Sequence, residues 1–240
     1  TACSLICCSS LQCRLSCQPF GRPCLPDATD PTACPALDSA GLPMITVVHA
    51  DDRLVIVDKP TGLLSVPGRT EADCASARVQ ALYPEARVVH RLDQATSGLL
   101  LFARGAEAQR ELSAAFAERR VGKVYVAVVA GQLDGEGLID LPLAADWPHR
   151  PRQQVDFSHG KPSQTRWRAL SHAQGQTRVT LEPLTGRSHQ LRVHLAHIGH
   201  AIVGDSLYAS PQVAAASPRL LLHASELQLD GRRWVCPVPF

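Results

Sequence analysis

The run His90-Arg91-Leu92-Asp93-Gln94-Ala95-Thr96-Ser97-Gly98 sets one carboxylate beside a cation and ahead of a small polar turn, and the apolar stretch 99–103 follows at once. A neighbouring cation favours the charged form of a carboxylate, and a charged carboxylate fixed at a turn can act on an electrophilic carbon. A sugar carbon or a pyrimidine ring suits that chemistry. A second stretch, Thr185-Gly186-Arg187-Ser188-His189-Gln190-Leu191-Arg192-Val193-His194, groups two arginines, a histidine and a glutamine around a helix start. Cations and free backbone N–H groups there can meet a carboxylate or phosphate. The third stretch, Gly122-Lys123-Val124-Tyr125-Val126-Ala127, holds a hydroxyl-bearing ring in a valine-rich strand, where a planar base could stack. Each has a plainer reading when taken alone: a turn-forming aspartate, a helix-terminal arginine held by a surface acid, a core tyrosine.

The elements that must position these groups follow from hydrophobic periodicity. Strands are expected at residues 45–49, 54–58, 99–103, 123–130, 138–141, 155–157, 165–170, 177–183, 220–229 and 234–238. Helices are expected at 71–82, at 106–120 with Leu112 and Phe116 on one face, and at 188–198 with Ser188 as N-cap and Gly199 as stop. Many strands with few, irregularly placed helices predict an α+β fold with a mixed, mainly antiparallel sheet.

With 240 residues and 45% hydrophobic content, the chain is long enough for a single well-buried core. Its net charge is only +2, so no basic tail marks a nucleic-acid partner, but cations cluster near the three stretches, and a local basic face suffices to steer a polyanion. No apolar run approaches the roughly 20 residues of a membrane span, which argues against a membrane role. Residues 1–43 differ in kind. They hold seven of the nine cysteines and six prolines without helical or strand periodicity, and the only methionine, Met44, follows them. They fit neither a secretory signal nor paired zinc knuckles, and are read as an extension outside the fold, with residues 44–240 as one catalytic domain. Past it only Cys74 and Cys236 remain, which suits a reducing cytoplasm.

Two rival chemistries are weak. His189, His194, His197 and His200 suggest a metal site, but they do not share one helix face and no H-E-x-x-H glutamate accompanies them. His90, Asp93 and Ser97 supply the residue types of a hydrolytic triad, yet lie within eight positions and lack a nucleophile elbow.

The three stretches, in this order, resemble the RluA-type pseudouridine synthases. Further matches run through Asp58-Lys59-Pro60-Thr61-Gly62, Val66-Pro67-Gly68-Arg69, Asp146-Trp147-Pro148, Gly160-Lys161-Pro162, Gly204-Asp205, Tyr208-Ala209-Ser210-Pro211 and Leu220-Leu221-Leu222-His223-Ala224. The resemblance implies a pseudouridine synthase fold with a central RNA-binding cleft. It implies an isomerase that cleaves the uridine glycosidic bond, turns the base and joins C5 to C1′, with no metal or other cofactor. By resemblance Asp93 is the catalytic carboxylate, Arg187 its basic partner, and Tyr125 the ring that stacks on the base and serves in proton removal from C5. Leu222 packs under the base and Arg91 enters the RNA loop as the uridine leaves, while His90 and Arg192 complete the substrate-binding set. The implied substrates are a 23S rRNA hairpin and the tRNA anticodon stem-loop; a monomer is the default expectation, and the cytoplasm follows from the cysteine usage. The alternative from another class is an RNA-binding protein on the same fold that rearranges no base; it would be indifferent to loss of Asp93.

Overall fold

A computed structural model describes residues 45–240; the expected extension over 1–43 and its boundary at Met44 lie outside the described residues. In chain order the elements are β1 (Thr46–Ala50), β2 (Leu54–Lys59), α1 (Ala75–Leu82), β3 (Ala86–Val88), β4 (Ser97–Arg104), α2 (Gly105–Ala117), β5 (Gly122–Ala130), β6 (Glu136–Asp140), β7 (Leu143–Ala145), β8 (Gln153–Val155), β9 (Gln164–Ala173), β10 (Gln176–Pro183), α3 (Gln190–His197), α4 (Pro211–Ala215), β11 (Leu222–Leu229) and β12 (Arg232–Val235). Ten strands form one sheet in the order β1-β2-β4-β11-β5-β10-β9-β6, with β12 on β11 and β3 on β4, while β7 and β8 form a separate hairpin. The β4–β11 pair is parallel and the other pairs are antiparallel, which is the mixed α+β architecture expected from the sequence.

The apolar run of β4 is explained by burial on both faces. Leu99, Leu101 and Ala103 pack with Ala108, Leu112 and Ala115 of α2, while Leu100 and Phe102 point to the other side against Ala75 and Val79 of α1. Alternation along one strand thus serves two cores, so a polar residue is tolerated on neither face. A third core joins Ala127 and Val129 of β5 and Val179 and Leu181 of β10 to Leu191 and Leu195 of α3.

Strand β11 lies between β4 and β5, so it ties the segment carrying Asp93 to the segment carrying Tyr125. Its parallel register on β4 is short, His223 to Ser97 and Ala224 to Gly98. Gly98 is required there. Its φ is +109°, and a Cβ would lie 2.3 Å from the carbonyl oxygen of Ala224.

Element ends depart from expectation for local reasons. Helix α1 starts at Ala75 rather than 71, because the Cys74 sulfur accepts from the Ala77 N–H and caps it. Helix α2 stops at Ala117 because Arg119 turns into the left-handed region at φ 61°. Ser188 is not the cap of α3. His189 occupies that position at φ 53°, and the Gln190 side chain instead takes the Arg187 N–H and the Thr185 hydroxyl. The expected strand at 155–157 sits two residues earlier as β8, and Phe157 is exposed. Strands β3 and β7 and helix α4 are too short to register as periodic patterns.

Gly98→Ala is expected to lower unfolding free energy in urea by roughly 3 kcal/mol or more, since backbone cannot yield as a side chain does. Gly105→Ala, at φ +84° with no atom within 4 Å, is expected to cost only about 1–2 kcal/mol.

Candidate active site

The turn carrying Asp93 is fixed from below by the segment that follows β2. Lys59 is fully buried, and its ammonium donates to the carbonyls of Pro60 (2.9 Å), Leu63 (2.7 Å) and Gln94 (3.1 Å). All three ammonium protons therefore meet acceptors, one of them next to Asp93 in sequence. Burial lowers the Lys59 pKa to about 8, opposed by the Asp93 charge. The Thr61 hydroxyl donates to the Ala95 carbonyl at 2.7 Å, and the Gly62 N–H to the Gln94 carbonyl at 2.9 Å. Ser65 closes the set: its oxygen takes the Leu92 N–H at 3.0 Å and its hydroxyl lies 2.7 Å from the Leu92 carbonyl. A turn bonded on both sides of residue 93 leaves the carboxylate little freedom except at its own side-chain torsions.

The cation on that carboxylate is Arg192, which corrects the expectation that Arg187 would pair with it. Arg192 has 4% exposure, and its Nε and one terminal nitrogen make a two-pronged contact with Asp205 at 2.8 and 2.7 Å. The other terminal nitrogen lies 3.6 Å from Oδ2 of Asp93. Arg187 precedes α3 in an exposed turn, and its Nε reaches the Pro162 carbonyl at 3.4 Å. The physical reason is the helix start: with α3 beginning at Gln190, Arg192 falls in its buried first turn, while Arg187 remains outside. A guanidinium can be buried only against a matching carboxylate, and Asp205 supplies the fork-to-fork geometry.

Tyr208 and His189 complete this cluster. The Tyr208 ring packs on the Arg192 guanidinium at 5.1 Å, its oxygen accepts the Gln153 N–H at 2.8 Å, and it lies 2.6 Å from His189 Nδ1. His189 Nε2 lies 4.0 Å from Asp93 Oδ2.

Above Asp93 opens a cavity of about 1520 Å³ that joins all three sequence stretches, with Arg91, Asp93, Tyr125, Arg187, Arg192 and Leu222 in its walls. It exceeds the usual 300–1,000 Å³ of small-molecule pockets. Six cations line it, Arg91, Arg119, Lys123, Arg150, Arg187 and Arg192, against two acids, Asp93 and Glu182, the latter paired with Arg166. Tyr125 is half-buried on β5 opposite Ala224 of β11. Burial, and then the Asp93 charge, hold its phenol well above the ordinary value, so the ring is neutral. Leu222 is buried beside it, and Arg91 is exposed.

His90 also lines the cavity, but its ring is committed to the scaffold. Nε2 accepts the Leu101 N–H at 2.9 Å, the ring stacks on Phe116 at 4.4 Å, and burial, reinforced by Lys123, pulls its pKa down to about 3. The histidines of the rival metal reading have separate partners: His194 meets Thr165 and the Leu141 carbonyl, and His200 the Ala130 carbonyl. The triad reading fails likewise, since Ser97 bonds His223 and Arg219 rather than His90.

Lys59, Asp205, Tyr208 and His189 act at the site although no role was assigned to them from sequence. Their signal was indirect: a buried arginine or lysine demands a dedicated partner, but sequence does not disclose which cation will be buried.

Residues 53–197 match the family model described as RNA pseudouridylate synthase. The chain is 51% identical over 191 residues to the dual-specificity RNA pseudouridine synthase RluA of Escherichia coli strain K12, covering 78% of this chain and 87% of that protein. It is 48% identical over 198 residues to the protein of the same name from Yersinia pestis, covering 81% and 96%. Among solved structures, human RNA pseudouridylate synthase domain containing 1 superposes with TM-score 0.71 at 29% identity, covering 82% of this chain and 84% of that one.

Asp205→Ala, which strands Arg192 in the interior, is expected to cost roughly 3–5 kcal/mol of stability, read as a drop in the urea midpoint. The His90 pKa is depressed in the folded state, so its contribution to stability is complete above pH 6.5 and is lost as pH falls toward 3. Between those limits the unfolding free energy should fall with a slope of up to about 1.4 kcal/mol per pH unit from this group, a component absent from His90→Gln.

Proposed function

The chain belongs to the RNA pseudouridylate synthase family and is an RNA-modifying isomerase, and we propose that it converts loop uridines of 23S rRNA and of the tRNA anticodon stem-loop to pseudouridine. The observation that carries this reading is Asp93, anchored on both sides in its turn and met by Arg192, at the floor of a large cavity lined by six cations. The cations suit a polyanion, and the volume admits a nucleotide swung out of its loop. The shared name of the relatives supports two RNA classes as substrates.

In this reading the uridine leaves its stack, at a cost of about a few kcal/mol, and Arg91 fills the gap it leaves. Tyr125 and Leu222 hold the base between a ring and an apolar side chain. Asp93 works at the ribose, by attack on the sugar or by taking a sugar proton. The N1–C1′ bond breaks, the base turns, C5 bonds to C1′ as any bond from Asp93 to the sugar is released, the C5 proton passes to a base, and N1 takes up a proton. One proton lost and one gained leave the composition unchanged, so the reaction needs neither oxidant nor net water. Arg192, rather than Arg187, orients Asp93, and Arg187 with Arg150 and Arg119 faces the phosphates at the cavity wall. The enzyme acts as a monomer in the cytoplasm, where its RNA substrates are.

Nucleoside mass spectrometry of an anticodon stem-loop and a 23S hairpin RNA tests this. Wild-type protein should form pseudouridine at one defined loop position with no added cofactor. Asp93→Asn should form none while binding the same RNA within a few-fold. Pseudouridine formed by the Asp93→Asn protein would sink the assignment of the carboxylate, and none with the wild type would sink the choice of RNAs.

A further inference from the structure

We infer that His189 is a positioning residue for the reaction: an imidazole whose Nε2–H is aimed at one oxygen of Asp93, with its tautomer set by the Tyr208 hydroxyl. The inference rests on the reading of Asp93 as the catalytic carboxylate. The Tyr208 oxygen accepts the Gln153 N–H at 2.8 Å and lies 2.6 Å from His189 Nδ1, the acceptor within reach of its own proton. That hydrogen bond occupies the Nδ1 lone pair and leaves the remaining proton on Nε2. Nε2 in turn faces Asp93 Oδ2 at 4.0 Å, beside the Arg192 nitrogen at 3.6 Å from the same oxygen. Two nitrogens thus face Oδ2 from one side. The 4.0 Å gap is longer than a hydrogen bond, and contacts of this kind tighten when substrate enters.

The backbone supports a dedicated role. His189 lies in the left-handed region at φ 53°, a conformation rarely adopted by residues with a β-carbon, and it is held there in the cavity wall between Ser188 and the first turn of α3. Charged and titratable groups face the ring from each element around it: Asp93 from the turn before β4, Arg192 from α3, Asp205 and Tyr208 from the segment after it, and Arg152 over the Tyr208 ring. Burial is the largest influence and lowers the His189 pKa, assisted by Arg192 and opposed by the two aspartates, so the ring is neutral at pH 7. A neutral donor fixes Asp93 without adding a second full charge, and protonation of the ring would draw electron density from the carboxylate that must react.

Single-turnover and steady-state kinetics on the full chain, with the anticodon stem-loop as substrate, test this. His189→Ala should lower kcat about 100-fold with KM within a few-fold, and His189→Gln, which keeps an N–H donor, should recover part of the loss. Tyr208→Phe keeps the ring on Arg192 but frees Nδ1 to take a proton, so the acid limb of its kcat profile should move to higher pH. The same substitution made on His189→Gln should move nothing. An unshifted acid limb in Tyr208→Phe, or wild-type kcat in His189→Ala, overturns the inference. Were His189→Ala to unfold, as circular dichroism would reveal, the Tyr208→Phe profile alone decides. Asp93→Asn run alongside separates the two levels: its activity would overturn the catalytic carboxylate, whereas an inactive Asp93→Asn with a fully active His189→Ala would overturn only the positioning role.

Discussion

A guanidinium withdrawn from water must be neutralised within the protein, and in this structure that requirement organises the site. Arg192 sits at 4% exposure against a fully buried Asp205, and the two-pronged contact between them uses two of its three nitrogens. Left alone, such a charge would cost several kcal/mol of desolvation; paired in fork geometry it becomes a rigid fixture. The third nitrogen is what the fixture presents to Asp93. Asp205 also accepts the N–H groups of Leu207 and Tyr208, so the same carboxylate shapes the loop that carries the tyrosine. One structural ion pair therefore sets the direction of a functional one.

Around this pair burial keeps the other titratable groups quiet. His90 and His189 have lowered pKa values and Tyr125 a raised one, and burial is the leading cause of all three. Lys59 remains cationic at neutral pH, but its protons are directed at three carbonyls rather than at a ligand. Charge that can meet a polyanion is instead placed on the cavity wall, in Arg91, Arg119, Arg150 and Arg187. Long-range attraction and local chemistry thus use different arginines, which lets the first be screened by salt without disturbing the second.

Much of this was legible in the sequence, because the informative signals were strong and local. The run Leu99-Leu100-Leu101-Phe102 announced a strand, which the structure buries on both faces, and the valines around Tyr125 announced another, one strand removed from it across β11. The motif strings placed Asp93, Tyr125 and Leu222 around one cavity before any distance was known. The partner of Asp93 was not legible. Choosing between Arg187 and Arg192 depends on where α3 begins, and that is decided by the side chain of Gln190 and the left-handed turn at His189, neither of which has a periodic signature. His90 shows the same limit in reverse: the resemblance set it among the substrate-binding residues, and its ring bonds the backbone of β4.

The position of β11 carries a consequence for how activity first arises. It separates β4 from β5, and it meets β4 through Gly98 and through a Ser97–His223 hydrogen bond spanning 126 residues of sequence. Contacts of such long range form late, since the entropy of closing a large loop must be overcome before they stabilise anything. A chain emerging from the ribosome can pair β1, β2 and β4, and separately β5, β9 and β10, yet Asp93 and Tyr125 do not line one cavity until residue 222 and its neighbours have been made. Completion of synthesis is therefore a checkpoint. A chain that stops short of β11 has the turn of Asp93 and the strand of Tyr125 without the strand that joins them.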